Sequence, residues 1–223
     1  MFFNIFSKND FSNISHFKKI LLVLITYMLL VVCIVFSMIL ISWADNIVKA
    51  LGYESIVNII ALSNKEIRAE NFYVVVFIVP ILEEILFRLI LLPKRENISV
   101  FILFLSFYVL NGNFTTLNFS ETHLYVNASI SVLLSIIFYK NYKLYGVSVE
   151  RKTKILIVFS IILFGLAHIS NIKPFHSELI LLYPFFIIPQ MIMGYFISNI
   201  RIKLGFFWGV LIHCLINFIS LYL

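Results

Sequence analysis

Long apolar runs separated by short polar segments make up most of this chain. A helix needs about 20 mostly apolar residues to cross the hydrocarbon core of a bilayer. Runs near that length occupy residues 20–43, 72–92, 98–110, 124–139, 155–171, 178–200 and 206–223. The pattern predicts an all-α, polytopic transmembrane helix bundle of about seven spans, within a range of six to eight. In the sixth run, Pro184 and Pro189 predict a short piece followed by a full helix.

Composition agrees with a membrane-embedded chain. Hydrophobic residues make up 61% of the sequence and charged residues 13%, whereas soluble domains carry roughly 25% charged residues. The formal net charge is +6, but the basic residues lie in short segments between apolar runs and form no basic recognition patch. The sequence therefore predicts the lipid bilayer as a partner, and no nucleic acid.

The distribution of basic residues predicts the orientation of the chain. With the N-terminus inside, only Lys49, Lys65, Arg68 and Lys173 of the 17 Lys and Arg residues fall in outer loops. An excess of Lys and Arg on the inner side is typical of membrane proteins, so we expect an inside N-terminus and a multi-pass protein of a cell membrane. Usage rich in Asn, Ile, Lys and Phe indicates a bacterial source, and hence the cytoplasmic membrane.

Ionisable residues within the predicted spans are the candidates for function. Each costs at least ~2.5 kcal/mol at the bilayer centre, and most that occur there have a functional reason. The candidates, with the asparagine one turn after the last of them, are Glu83, Glu84, Arg88, His168, His213 and Asn217.

In the second span, Glu84 and Arg88 are four residues apart and can pair on one helix face. Glu83 is rotated by about 100° from Glu84, so the spacing predicts no such partner for it. Pro80 removes one helix hydrogen bond and predicts a local opening just before these residues. A structural ion pair beside a spare acid is the alternative interpretation.

Each of the other motifs has a structural interpretation as well. His168 can be a helix cap or an interfacial residue. His213 and Asn217 share one helix face, where they can donate hydrogen bonds into a cavity or join two helices. Gly205 and Gly209 form a GxxxG step, which predicts close helix packing.

Taken together, three motifs on three spans resemble a known family. Glu83 to Arg88, Phe164 to His168 and His213 to Asn217 are similar to the motifs of the CAAX protease and bacteriocin-processing (Abi) family, which includes the type II CAAX prenyl endopeptidases. The resemblance covers roughly residues 72–221. It divides the chain into residues 1–71, with a tail, the first span and an outer loop, and a catalytic membrane core at 72–223.

The resemblance implies an intramembrane endopeptidase that acts on a membrane-associated peptide or protein. In such an enzyme Glu83 and His168 would activate a water, and His213 and Asn217 would hold the oxyanion. Glu84 and Arg88 complete the candidate catalytic set.

Alternatives remain open from sequence alone. No cofactor is expected, although two histidines and a glutamate also form a known catalytic zinc set; the local HExxH signature is absent. A non-catalytic membrane protein giving immunity to a bacteriocin-like peptide is a second alternative. A transporter is a third, although no inverted repeat is visible. The sequence makes no prediction of the oligomeric state.

Overall fold

The structure is a computed structural model, and it describes residues 14–61, 72–92, 94–111, 122–141, 149–172 and 175–222. Every regular element in these ranges is helical, and they contain no strand. The all-α prediction is confirmed.

Seven helices follow the predicted apolar runs in order. They are α1 (His16–Ala50), α2 (residues 72–91), α3 (Arg95–Asn111), α4 (Thr122–Asn141), α5 (Val149–Ala167), α6 (Ile188–Leu204) and α7 (Phe206–Tyr222). The first is longer than predicted, because residues 44–50 continue α1 and residues 56–61 are helical again. The prediction of an outer loop from residue 44 onward is wrong for these residues, because buried Ala44 and Val48 continue the packed face of α1.

A buried polar cluster closes the C-terminal end of α1. The Asp45 carboxylate accepts hydrogen bonds from the Ser55 hydroxyl at 2.8 Å and the Val57 N–H at 3.2 Å. It also pairs with Lys49 at 2.7 Å. The Ser55 oxygen in turn accepts the Asn58 N–H at 3.2 Å, as an N-cap residue does. The cluster thereby fixes the start of the helical residues 56–61 against α1.

Helix α2 changes type along its length. It contains a π-helix at Val74–Ile78, an α-helix at Val79–Glu83, a second π-helix at Glu84–Arg88 and a 3-10 turn at Leu89–Leu91. The predicted opening near Pro80 therefore takes the form of π-turns on both sides of the short α-helical piece.

Pro80 leaves one carbonyl in the first π-turn without a backbone donor. The Val79 N–H donates to the Val74 carbonyl, five residues back. In that pattern the next donor, at residue 80, would serve the Val75 carbonyl, but proline has no N–H. The Val75 carbonyl is thus left for a partner from another helix.

The sixth apolar run is broken, as its prolines predict. A 3-10 turn at Ser177–Leu179 and a short helix at Tyr183–Phe186 precede α6. Pro184 and Pro189 lie in the first turns of the short helix and of α6, where a missing N–H costs little. The break falls at Ile187, between the two helices.

Helix α2 packs against α3, α5 and α7, while α6 packs against α1, α5 and α7. Two apolar clusters hold α1 in place. One joins its C-terminal part to the segment before α6, through Ile41, Ala44, Val48, Ile56, Ile172, Leu179, Tyr183 and Phe186. The other joins its N-terminal part to α6 and α7, through Val23, Leu30, Ile197, Ile200, Ile212 and Ile216. The fold thus brings α2, α5 and α7 together beside α6.

Within the described residues, α1 and α4 are the two helices long and apolar enough to cross a membrane by length and composition. Helix α1 also turns large apolar side chains outward, including Met28, Phe36 and Ile39. An apolar outer face of this size suits contact with lipid. The bundle of seven spans and its orientation stay predictions.

Candidate active site

Three elements carry the six candidate side chains. Helix α2 carries the two glutamates and the arginine, α7 carries His213 and Asn217, and His168 opens the 3-10 turn directly after α5. The described contacts join all three elements around the glutamates.

Glu84 and Arg88 form a fully buried ion pair. The Arg88 Nη1 lies 2.8 Å from Glu84 Oε1, and both side chains have no exposed surface. The guanidinium also lies over the Phe164 ring of α5, 3.9 Å from its centroid, in a cation–π contact. The pairing predicted from the four-residue spacing is confirmed.

His213 bridges the two glutamates. Its Nδ1 lies 3.1 Å from Glu84 Oε1, and its Nε2 lies 3.2 Å from Glu83 Oε2. The prediction that Glu83 has no partner is wrong, because the partner comes from α7 and not from its own helix. With both carboxylates ionised, both ring nitrogens must carry a proton to donate.

His168 lies on the open side of Glu83. Its Nε2 is 4.0 Å from Glu83 Oε1, and its Nδ1 is 2.8 Å from the Phe164 carbonyl. A carbonyl only accepts, so Nδ1 carries the proton and the Nε2 of a neutral ring presents a lone pair toward Glu83. The side chains of His168 and Glu83 are 18% and 22% exposed, whereas Glu84 and His213 are buried.

Asn217 joins α7 to the first π-turn of α2. Its Nδ2 donates to the Val75 carbonyl at 3.0 Å, which is the carbonyl that Pro80 deprives of a backbone donor. The structural interpretation of this residue as a link between helices therefore has a direct contact. A side-chain amide has two N–H groups, and this bond uses one of them.

Arg201 and Gly209 also lie beside the site, although they were not among the candidates. Arg201 is 4% exposed, and its side-chain stem lies next to Gly209, as Glu84 Oε2 does. With the N-terminus inside, it falls in the inner segment between the sixth and seventh predicted spans. A cation at the very end of an apolar run is the signal that could have identified it.

The GxxxG step does not lie on one helix. Gly205 occupies the break between α6 and α7 with φ of 101°, a conformation that favours glycine. Gly209 alone lies within α7, where it faces Arg201 and Glu84. The prediction of a two-glycine packing face is wrong, because α7 begins at Phe206, between the two glycines.

No group of three or more His, Cys, Asp or Glu side chains is arranged to hold a metal ion in the described part of the chain. The expectation of a cofactor-free enzyme, like the zinc alternative, stays a prediction.

Comparison with known families matches residues 67–219 to the family described as type II CAAX prenyl endopeptidase Rce1-like. The match spans more than half of the chain and includes all the candidate residues. The chain belongs to this family. Rce1-like proteins are membrane-embedded, and the family implies peptidase activity in general terms. No curated protein and no solved structure matches the chain. Helix α1 lies outside the residues matched to the Rce1-like family, and the predicted boundary after residue 71 stays a prediction.

Proposed function

We propose that this chain is a glutamate-dependent intramembrane endopeptidase that hydrolyses a peptide bond in a membrane-associated peptide or protein. The observation that carries the proposal is the arrangement of Glu83 and His168. Their facing atoms, Oε1 and Nε2, are 4.0 Å apart, which is too long for a direct hydrogen bond. One water can bridge such a gap.

The hydrogen bonds around His168 favour binding of a water between His168 Nε2 and Glu83 Oε1. The Phe164 carbonyl holds the Nδ1 proton, so a neutral His168 and an ionised Glu83 present two acceptors to the same space. A water between them would donate both of its protons, which directs an oxygen lone pair away from the two side chains and toward a substrate. This is the geometry that general-base activation requires.

The proposed reaction then follows from the remaining contacts. The water oxygen bonds to the substrate carbonyl carbon, and its proton passes to Glu83. The protonated carboxyl is a weaker acceptor, so it releases the His213 Nε2–H, 3.2 Å away, to donate to the new oxyanion together with the second Asn217 N–H. Collapse of the tetrahedral intermediate breaks the C–N bond, and the proton moves from Glu83 to the leaving amine.

The buried pair supports this machinery without contacting the substrate. Glu84 holds His213 through Nδ1 at 3.1 Å, and Arg88 neutralises Glu84 at 2.8 Å. A carboxylate that accepts the far N–H of an imidazole fixes the orientation of the ring, as in other enzymes that use an Asp–His or Glu–His contact. Glu84 and Arg88 are therefore proposed as positioning residues.

The proposed setting is a seven-span bundle in a bacterial cytoplasmic membrane with the N-terminus inside. The distribution of Lys and Arg supports the orientation, and the outward-facing apolar side chains of α1 support contact with lipid.

Glu83→Gln tests the proposal, because the amide keeps the size of the side chain but cannot take a proton. Membranes containing wild type or the variant at equal abundance are compared for new peptide termini by mass spectrometry. We expect the products made by wild type to be absent with Glu83→Gln. Glu96→Gln, which changes a carboxylate in the first turn of α3, is the matched control and should retain them.

Wild-type products in the Glu83→Gln membranes would refute the protease proposal and favour a binding protein. Inhibition by 1,10-phenanthroline that added zinc reverses would replace the metal-free mechanism with the zinc alternative.

A further inference from the structure

One oxygen of the buried Glu84 carboxylate has no hydrogen-bond partner. Its Oε1 takes both the Arg88 and the His213 contacts. Its Oε2 is buried and lacks a partner within the described part of the protein. Burying a carboxylate oxygen without a hydrogen-bond donor costs free energy. A charge close to Oε2 therefore changes the stability of the buried Glu84–Arg88 pair.

Gly209 leaves a narrow gap next to this oxygen. A Cβ added at Gly209 would lie 3.3 Å from Glu84 Oε2, 3.3 Å from Arg201 Cβ and 3.5 Å from Arg201 Cδ. A single side-chain position therefore separates the carboxylate from the stem of the arginine. Any residue larger than glycine would occupy the space between them.

Arg201 lies beside this gap as a buried cation, and one of its N–H donors has no partner among the described residues. Its Nε is buried without a hydrogen-bond partner among the described residues, and its guanidinium lies over the Phe206 ring at 4.7 Å. A buried cation is tolerated when an opposite charge compensates it, and the Glu84 carboxylate lies across the gap at Gly209 from the stem of this arginine.

We propose that Arg201 is a positioning residue for hydrolysis: a second guanidinium that stabilises the Glu84 carboxylate across the gap at Gly209. The groups around Glu84 are then Arg88 from α2 and His213 from α7, which contact Oε1, and Arg201 from α6 on the side of Oε2. Glu84 accepts the Nδ1–H of His213 and keeps the Nε2 of that ring aimed at Glu83.

A double-mutant cycle tests the contact without reference to catalysis. Arg201→Met and Glu84→Gln are measured singly and together, as unfolding equilibria of the full chain in mixed micelles. If the two charges interact, Arg201→Met should raise the unfolding constant about tenfold less in the Glu84→Gln background than in wild type. Lys203→Met, which removes a cation from the same helix turn, should have the same effect in both backgrounds. Equal effects of Arg201→Met in the two backgrounds would overturn the proposal.

The effect on hydrolysis rests on the proposed function and is read from kcat and KM separately. Arg201→Met should lower kcat at least about tenfold and leave KM unchanged. Arg201→Lys should restore most of the rate. Gly209→Ala, which fills the gap, should reproduce the loss of kcat seen with Arg201→Met.

An unchanged kcat in both Arg201→Met and Gly209→Ala would contradict the positioning role, even where Glu83→Gln abolishes hydrolysis. An active Glu83→Gln would instead refute the proposed function and leave the stability cycle to decide on the contact.

Discussion

Replacing Asn217 by alanine removes the donor to the Val75 carbonyl, and the cost should depend on residue 80. The bond is 3.0 Å long and serves a carbonyl whose backbone donor is missing because residue 80 is proline. Pro80→Ala supplies an N–H in the position from which the π-turn would satisfy that carbonyl. The two substitutions should therefore couple although they lie on different helices.

The expected magnitudes follow from the setting of the bond. An unsatisfied carbonyl costs roughly 1–3 kcal/mol, and polar contacts between membrane helices measure about 0.6 kcal/mol on average, with a maximum near 1.7. We expect Asn217→Ala to lower the free energy of unfolding by about 1 kcal/mol in wild type. In the Pro80→Ala background the loss should fall to about half of that or less, because the new backbone N–H at residue 80 takes over the carbonyl.

Unfolding in mixed micelles with increasing dodecyl sulfate, followed by circular dichroism, gives all four free energies. Pro184→Ala, which changes a proline of the short helix before α6, is the control and should leave the cost of Asn217→Ala unchanged. An equal cost of Asn217→Ala in wild type and in the Pro80→Ala background would refute the reasoning about the Val75 carbonyl.

Two further predictions use the same unfolding assay. Arg88→Met should lower the free energy of unfolding by about 3 kcal/mol, because it leaves Glu84 buried without its closest cation, and adding Glu84→Gln should recover part of the loss. A loss below about 1 kcal/mol would show that the pair is effectively solvated. Ser55→Ala should cost about 1–2 kcal/mol, through the lost bond to Asp45 and the lost helix cap. It should leave the hydrolysis rate unchanged, because the bonds of Ser55 to Asp45 and Asn58 lie at the C-terminal end of α1; a lower rate would contradict this.

The pattern of apolar runs was sufficient to predict the helices, because each run must satisfy its backbone internally. The candidate side chains could also be found from sequence, since ionisable residues are rare in such runs and each stands out. The Glu84–Arg88 pair follows from the four-residue spacing alone. The roles of these residues in catalysis remain predictions.

Contacts between helices were beyond the reach of spacing rules. The approach of His213 to Glu83 depends on how α7 packs against α2, which no local pattern encodes. Pro80 is the feature of the sequence that indicates the π-turns, because the residues around it are equally compatible with an α-helix. Arg201 directly follows the apolar run at 178–200, and only the packing of the helices shows it to be buried.

The π-turns of α2 have a consequence for aligning related sequences. The hydrogen bond of a π-turn spans one residue more than that of an α-turn. A π-turn can therefore contain one inserted residue while the side chains beyond it still point in the same directions. Shortening Val74–Ile78 by one residue would turn it into an ordinary helical turn and still present Glu83 and Glu84 to the same neighbours. A one-residue gap at this place in a homologue is therefore compatible with intact acidic groups, and counting residues from the start of the helix is a poor way to locate them.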